Sequence, residues 1–317
     1  MDTKGIFNYM AASSQSSLHR NGKVFTRRNL EGTDAEYIGV DQEKHEVTVR
    51  DARDMADATL AKQGFQLLES DIENLNIDFF SNDQVLRDYY PLCEAVIRDA
   101  TGAKEVYAFD HNIRSAAGKQ SKKMITGGQQ VQGPAHTVHG DYTLTSAPDR
   151  LRQLARPPGK NDTIRSIVKE GEALLQSVDV ESALKGRRFG IVNLWRSIVP
   201  EPVQINPLAL CDASTVDPDD LVVFEIHYAD RIGENYFAKY NPRHEWSFYP
   251  HMRRTEALLI KQWDSSGGLA TTNGQKADSQ SPDSPCTFSF HSAFKEPTTP
   301  EDAPDRWSME VRCIVLY

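Results

Sequence analysis

FGIVNLWRSIV (189–199), DLVVFEIHYAD (220–230), ENYFAKYN (234–241), EALLIKQWD (256–264), CTFSFHSAF (286–294) and WSMEVRCIVLY (307–317) are short runs of β-branched and aromatic residues separated by turn formers. Such runs suit a pleated, half-buried surface, and their number in one half of the chain predicts an antiparallel sheet array. Helix-forming segments gather before this array instead of alternating with it. That segregation predicts an α+β class with a mainly β core, a β-sandwich or jelly roll buttressed by helices, and argues against a doubly wound βαβ sheet.

Working outward, FQLLES (65–70) and EVYAFDHNIR (105–114) predict two further strands, and NDQVLRDYYPLCEAVIRDATG (82–102) predicts a helix stopped by Gly102. DARDMADATLAKQGF (51–65) and RSIVKEGEALLQSVDVESALKG (165–186) also have helical character. The first fifty residues are polar, with strand-like pieces at Lys23–Thr26 and Glu46–Arg50. They read as an N-terminal arm (1–50) laid on a single domain (51–317). SAAGKQSKKMITGGQQVQG (115–133) has no apolar period and reads as a mobile loop or a lid over a site. SSGGLATTNGQKADSQSPDSP (265–285) reads as a long surface insertion between two strands.

Composition narrows the partners. Across 317 residues, 36 Lys+Arg face 45 Asp+Glu, a net charge of −9, so a sequence-independent attraction to phosphate backbones has no global source and nucleic acid is not an expected partner. No stretch approaches the roughly 18 apolar residues of a membrane span, and MDTKGIFNYMAASSQSS has no leader-like pattern, so no membrane partner and a cytoplasmic location are expected. Cys93, Cys211, Cys286 and Cys313 are scattered without a CxxC pair, which predicts free, mostly buried thiols.

Among the nine histidines, only His139 sits two residues from a carboxylate, Asp141, in a strand-like setting bounded by Pro134 and flanked by Thr and Val. On a strand, positions i and i+2 share a face, so His139 and Asp141 can aim an imidazole nitrogen and a carboxylate oxygen at one point, while Gly140 leaves the other side uncrowded. Alone, a His-x-Asp is a weak signal. A later strand carries His291, and Arg306 and Ser308 follow it two residues apart. Two histidines and one carboxylate on one face of an octahedron form the ligand set of non-haem iron(II) oxygenases, which leaves the opposite face open for a co-substrate and O₂. If the co-substrate is a 2-oxo acid, its far carboxylate needs a fixed cation, and Arg306 with the Ser308 hydroxyl supplies a charge-assisted clamp. Arg312 and Arg196 are the other arginines open to that role. His251 and His227 compete with His291 for the third ligand position, whereas His227 and His244 also read as satisfied structural histidines.

The His-x-Asp, the late His and the Arg-x-Ser pair resemble the iron(II)- and 2-oxoglutarate-dependent oxygenases with a double-stranded β-helix (jelly-roll, cupin-like) core. The segments NLWRS, PLALCDAST, YNPRHEWSFYPHM, EALLIKQWDS and FHSAFKEPTTPEDAPDRWSMEVR are similar, more narrowly, to the hydroxylase and desaturase group with gibberellin desaturase-like and cephamycin methoxylation-component-like members. The resemblance covers most of the chain after about residue 46. It implies a dioxygenase in which His139, Asp141 and His291 bind Fe(II), and Arg306 with Ser308 holds the distal carboxylate of 2-oxoglutarate. It also implies that O₂ and 2-oxoglutarate are consumed as hydrogen is removed from a small molecule of specialised metabolism, leading to hydroxylation, desaturation, ring closure or oxygen insertion. Asn193 and Arg196, on the strand that also carries Trp195, are candidates for the co-substrate or substrate carboxylate, or for a buried structural pairing. Ser197 stands where the group has Pro, and GGQQVQGPAHTVHGDYT is unusually polar, so Gln130, Gln132, His136 and Tyr142 are candidate linings for a polar substrate pocket. Two other classes stay open: a zinc-dependent hydrolase using the same three ligands, and a non-catalytic jelly-roll binding protein with an internal polar network.

Overall fold

A computed structural model describes residues 2–28, 34–55, 58–160, 162–228 and 231–317. Two sheets face each other, with helices on the outer side of the smaller one. The large sheet has ten strands in the order β1 (Thr3–Met10), β4 (Gln42–Asp51), β12 (Trp246–Phe248), β9 (Leu208–Cys211), β14 (His291–Ala293), β7 (His139–Gly140), β11 (Ile232–Ala238), β10 (Leu221–His227), β2 (Phe25–Arg28) and β3 (Asp34–Ile38). The small sheet has five: β5 (Phe65–Glu69), β13 (Glu256–Asp264), β8 (Phe189–Ser197), β15 (Ser308–Leu316) and β6 (Glu105–Arg114). All small-sheet pairings are antiparallel, and the large sheet adds two parallel ones, β10 with β2 and β12 with β4.

Strands β8 and β13 are buried at every residue, and β15 at every residue but Arg312. Both faces of these strands are covered, the outer one by helix over β8 and β15 and by Ala52, Val203, Tyr249 and Met252 over β13, which is why their sequences lack a clean polar alternation. The helix Tyr90–Thr101 packs on β6 and β15 through Tyr90, Cys93 and Ile97. It stops where Gly102 takes φ +66, a left-handed conformation that lets its N–H reach the Arg98 carbonyl at 2.9 Å. All four cysteines are free and buried, and burial pushes the Cys93 and Cys286 thiols up to about 12, so both are neutral packing groups. Among the described residues, no helix is long and apolar enough to cross a membrane.

Several expected elements differ. The first fifty residues do more than lie on the core: β1 and β4 pair over eight positions, β4 continues onto β12, and Phe7 and Tyr9 are fully buried. Most of β4 leaves its side chains in water, which gives the segment its polar composition. Between the strands that end at Asp51 and begin at Phe65, the described residues form the short 3₁₀ turn Ala52–Asp54, where Arg53 makes a two-pronged ion pair with buried Glu256 on β13, and a turn closed by the Gln63 N–H on the Thr59 carbonyl at 3.1 Å, but no α-helix; positions 56 and 57 lie outside the described residues. In 165–186 only Ser177–Leu184 is an α-helix, since Gly171 at φ +81 breaks the run before it. The 265–285 insertion is anchored by Asp278, which accepts from the Leu269 and Thr287 N–H groups at 2.9 and 2.6 Å. Residues 115–133 begin with the short helix Ala116–Gln120, and the segment is tied at both ends, by Ser115 to Asp305 and by the Gly133 carbonyl to Arg114.

Candidate metal centre

The site lies between the sheets. Strand β7 is only two residues long, yet it sits between β14 and β11, and its register sets His139 directly opposite His291. The two imidazole rings are 4.3 Å apart between centroids. Asp141, one residue past the strand, points the same way as His139, as period-2 geometry requires. Its main-chain N–H donates to Gln262 Oε1 at 3.0 Å, which fixes the chain as it leaves β7. Gly140 faces the other way, and that side is not open: a Cβ there would lie 3.0 Å from the Phe288 ring. The glycine lets aromatic packing close directly behind the site.

His139 Nε2 and His291 Nε2 lie 3.7 and 3.9 Å from the same oxygen, Asp141 Oδ1. One ligand atom from each residue falls within 4.8 Å of the others, and all three residues are buried. His139 Nδ1 is 2.8 Å from the Thr137 carbonyl, so Nδ1 carries the proton and Nε2 presents a lone pair. Burial first, then His291, pushes the His139 imidazole down to about 4; burial also lowers His291. Both rings are therefore neutral at pH 7, as ligation demands. Burial pushes the Asp141 carboxyl up, but Arg312, the two histidines and Asn193 together outweigh it and hold the group well below the usual carboxylate range. Asp141 Oδ2 accepts from Asn193 Nδ2 at 2.9 Å and from Arg312 Nε at 3.3 Å. A compact set of two neutral imidazoles and one carboxylate, with partners already orienting the outer atoms, fits a divalent transition metal.

Beside the cluster is a cavity of about 20 Å³ lined by Ala135, Trp195, Leu208 and Ala293 and by the charged Arg114, Arg306 and Glu310. Arg306 is 3% exposed, and its guanidinium bonds the Asn206 carbonyl and lies 5.7 Å from the Trp195 ring centre. Among the described residues it has no carboxylate in ion-pair range, and its Nε and the Ser308 hydroxyl are both buried without a hydrogen-bond partner. Burial, then neighbouring Arg114, depresses its pKa to about 9. A buried, unpaired guanidinium costs several kcal/mol, so an anionic ligand is its natural complement. A larger open hollow of about 490 Å³, near Leu18, Asp217 and Gln280, is away from these groups.

The other candidates divide. Asn193 is at the site, bonded to Asp141. Arg196, three residues on, occupies the opposite face of β8: Nη1 donates to the Ser70 and Arg254 carbonyls at 2.8 and 3.2 Å, and Nη2 to Ser70 Oγ at 2.8 Å. This corrects the co-substrate role considered for Arg196, since alternation along the strand turns it away from the metal cluster. Arg196→Ala is expected to lower stability by about 3 kcal/mol, because charged hydrogen bonds contribute roughly 1.5–3 kcal/mol each and two carbonyls lose their donor. A lowered thermal midpoint with metal binding unchanged in the folded protein would show it; weakened metal binding at full folding would return Arg196 to the site.

Burial first, then the Arg306 charge, lowers the His136 imidazole below its usual value, and burial raises the Tyr142 phenol against the opposing charges of Arg150 and Arg312. Gln132 bridges β6 at Arg114, its N–H bonded to the Ile113 carbonyl at 3.0 Å, whereas Gln130 bridges Met124. None of these four lines the cavity. His227 is bonded to Glu225 at 2.8 Å and stacked on Phe25, and His244 sits between Asp220 and Tyr9, so both are satisfied structural histidines. His251 is exposed at φ +51. The sequence reading missed Arg114, Glu310 and Asp110 and gave Arg312 only as a fallback clamp. A signal was present: Ser308, Glu310 and Arg312 are spaced by two in a run otherwise made of apolar residues.

Facing sheets that bury two histidines and one carboxylate beside an arginine with no carboxylate partner among the described residues make a candidate non-haem metal centre. A family model described as an oxidoreductase/YMDC permease-like domain matches residues 7–316. The chain is 40% identical over 192 residues to a protein of the dcmA 3′ region of Methylophilus leisingeri, covering 60% of this chain and 88% of that one. It is 31% identical over 278 residues to the Fe(II)/2-oxoglutarate-dependent dioxygenase nvfI of Aspergillus novofumigatus, covering 86% and 83%. A solved structure titled iron and alpha-ketoglutarate-dependent endoperoxidase NvfI superposes with a TM-score of 0.72 at 25% identity, covering 99% of this chain and 98% of that one. The chain thus belongs to this oxidoreductase family, together with relatives named Fe(II)/2-oxoglutarate-dependent dioxygenases and hydroxylase/desaturases.

Proposed function

We propose that the protein is a cytoplasmic iron(II)- and 2-oxoglutarate-dependent oxygenase acting on a small molecule of specialised metabolism. Its two sheets make up a double-stranded β-helix domain spanning 51–317, to whose large sheet the first fifty residues add strands. His139, Asp141 and His291 are the iron ligands, and Arg306 with Ser308 is the clamp for the distal carboxylate of 2-oxoglutarate. The observation that carries this reading is the pair of orphaned buried groups beside the cluster, Arg306 Nε and Ser308 Oγ. A metal hydrolase using the same three ligands has no work for that cation.

When bound, iron(II) with 2-oxoglutarate and O₂ supplies the oxidising power that removes hydrogen from a substrate carbon, with succinate and CO₂ as co-products. This chain's residues do the rest. Thr137 holds the His139 tautomer, Asn193 orients Asp141, and Arg306 gives the co-substrate a single direction of approach through a charge-assisted contact. Ala135, Trp195, Leu208 and Ala293 keep water from the reacting face. Anaerobic titration with iron(II) and then 2-oxoglutarate is the test, and the expected result is a weak visible metal-to-ligand charge-transfer band. Metal binding without the band would favour the hydrolase, and no metal binding would favour a binding protein.

A further inference from the structure

The two oxygens of Asp141 have separate partners. Oδ1 faces both imidazoles, while Oδ2 takes Asn193 Nδ2 at 2.9 Å and Arg312 Nε at 3.3 Å. Arg312 itself is held on every edge. Its Nη1 donates to Asp110 Oδ2 at 3.0 Å and its Nη2 to Glu310 Oε1 at 2.9 Å. Asp110 is fixed in turn by the Thr163 hydroxyl at 2.7 Å on Oδ1. The three carboxylates come from three places: Asp110 from β6, Glu310 from β15 and Asp141 from the end of β7. Antiparallel register explains the convergence, because Arg312 lies opposite Asp110 on one side and opposite Asn193 on the other. A guanidinium is a rigid planar fork, so one that is tied at Nη1 and Nη2 has its Nε–H direction set.

We propose that Arg312 is a positioning residue that keeps Asp141 a one-oxygen ligand, by occupying Oδ2 from a direction fixed by Asp110 and Glu310. The proposal rests on the reading of His139, Asp141 and His291 as metal ligands. Without this tie the Asp141 carboxylate is free to turn, so metal binding must order it, which costs affinity, and it can offer both oxygens to the ion, which changes the coordination and uses up a position the co-substrate needs.

Charge and position predict opposite signs. If Arg312 acted only as a nearby cation, its removal would tighten binding of a divalent ion. If it positions Asp141, its removal weakens binding and changes the coordination. Cobalt(II) is a suitable probe, since its visible d–d bands report coordination number and no turnover is needed. Arg312→Lys keeps the charge and loses the fork; Arg312→Gln loses both. Both variants are expected to bind cobalt(II) about 10- to 100-fold more weakly, the range for groups that orient metal ligands, and to show altered bands. Wild-type affinity and bands in Arg312→Lys, or tighter binding in Arg312→Gln, would overturn the proposal. Should both fail to fold, Asp110→Asn loosens one tie without touching Asp141; a several-fold loss with shifted bands supports the proposal, and unchanged binding overturns it. The ligand assignment itself fails separately, if His139→Ala retains the wild-type cobalt(II) spectrum.

Discussion

His291→Ala is expected to abolish the 2-oxoglutarate charge-transfer band and to lower metal affinity by well over about 100-fold, beyond the range seen when only a ligand-orienting neighbour is removed. The argument starts from the pairing of β14 with β7, which puts His291 across from His139 and brings its Nε2 to 3.9 Å from Asp141 Oδ1. With His291 gone, two ligand groups are left, and no other histidine in the described residues is placed to replace it. His227 is held by Glu225 on the far side of β10, and His251 is exposed at a turn. The fold should survive, because β14 continues to pair with β9 through main-chain bonds that the side chain does not make. Equilibrium dialysis against iron(II) or cobalt(II), beside far-ultraviolet circular dichroism, is the measurement. A folded variant that binds metal within a few-fold of wild type would move the third ligand elsewhere.

What could be read from the sequence followed the range of the interactions involved. The helical run that ends before Gly102 and strand β6 depend on local signals, a left-handed stop and a β-branched or aromatic run; the run starts at Asn82 as expected, with a π-helical turn at Val85–Tyr89 before the α-helix Tyr90–Thr101, and β6 has the expected bounds. The segment 51–65 forms no α-helix among its described residues despite its helix-forming composition, and its 3₁₀ turn carries a long-range ion pair, Arg53 with Glu256. The same contrast holds at the site. His139 and Asp141 are legible because strand periodicity links them two residues apart, and His291 is legible because a clamp-like Arg-x-Ser follows it. Arg312, Asp110 and Asn193 meet only through the registers of β15 with β6 and β8, which no spacing along the chain records. Arg196 shows the converse: it is three residues from Asn193 in sequence, yet a strand sends it to the other face, where Ser70 and the Arg254 carbonyl hold it.

Arg306→Met is expected to raise the 2-oxoglutarate concentration needed for half-maximal turnover by about 100-fold while leaving metal affinity within a few-fold of wild type. Hydrogen bonds to a charged group contribute roughly 1.5–3 kcal/mol each, and two such bonds from one guanidinium account for an effect of this size. The specificity of the effect separates the clamp from the metal cluster, since among the described residues the Arg306 guanidinium donates to the Asn206 carbonyl and not to Asp141. Stability should respond in the opposite sense to function. A guanidinium that is buried without a carboxylate partner strains the ligand-free protein, so exchanging it for an apolar side chain of similar length should hold or raise the thermal midpoint. Adding 2-oxoglutarate with metal should then raise the midpoint of the wild type and leave that of the variant where it was, because ligand linkage stabilises only a state that binds. Arg306→Lys keeps the charge but not the planar fork, and should recover part of the lost affinity. An unchanged 2-oxoglutarate requirement in Arg306→Met would pass the clamp to Arg114, the other arginine that lines the cavity, on the strand position opposite Ser308.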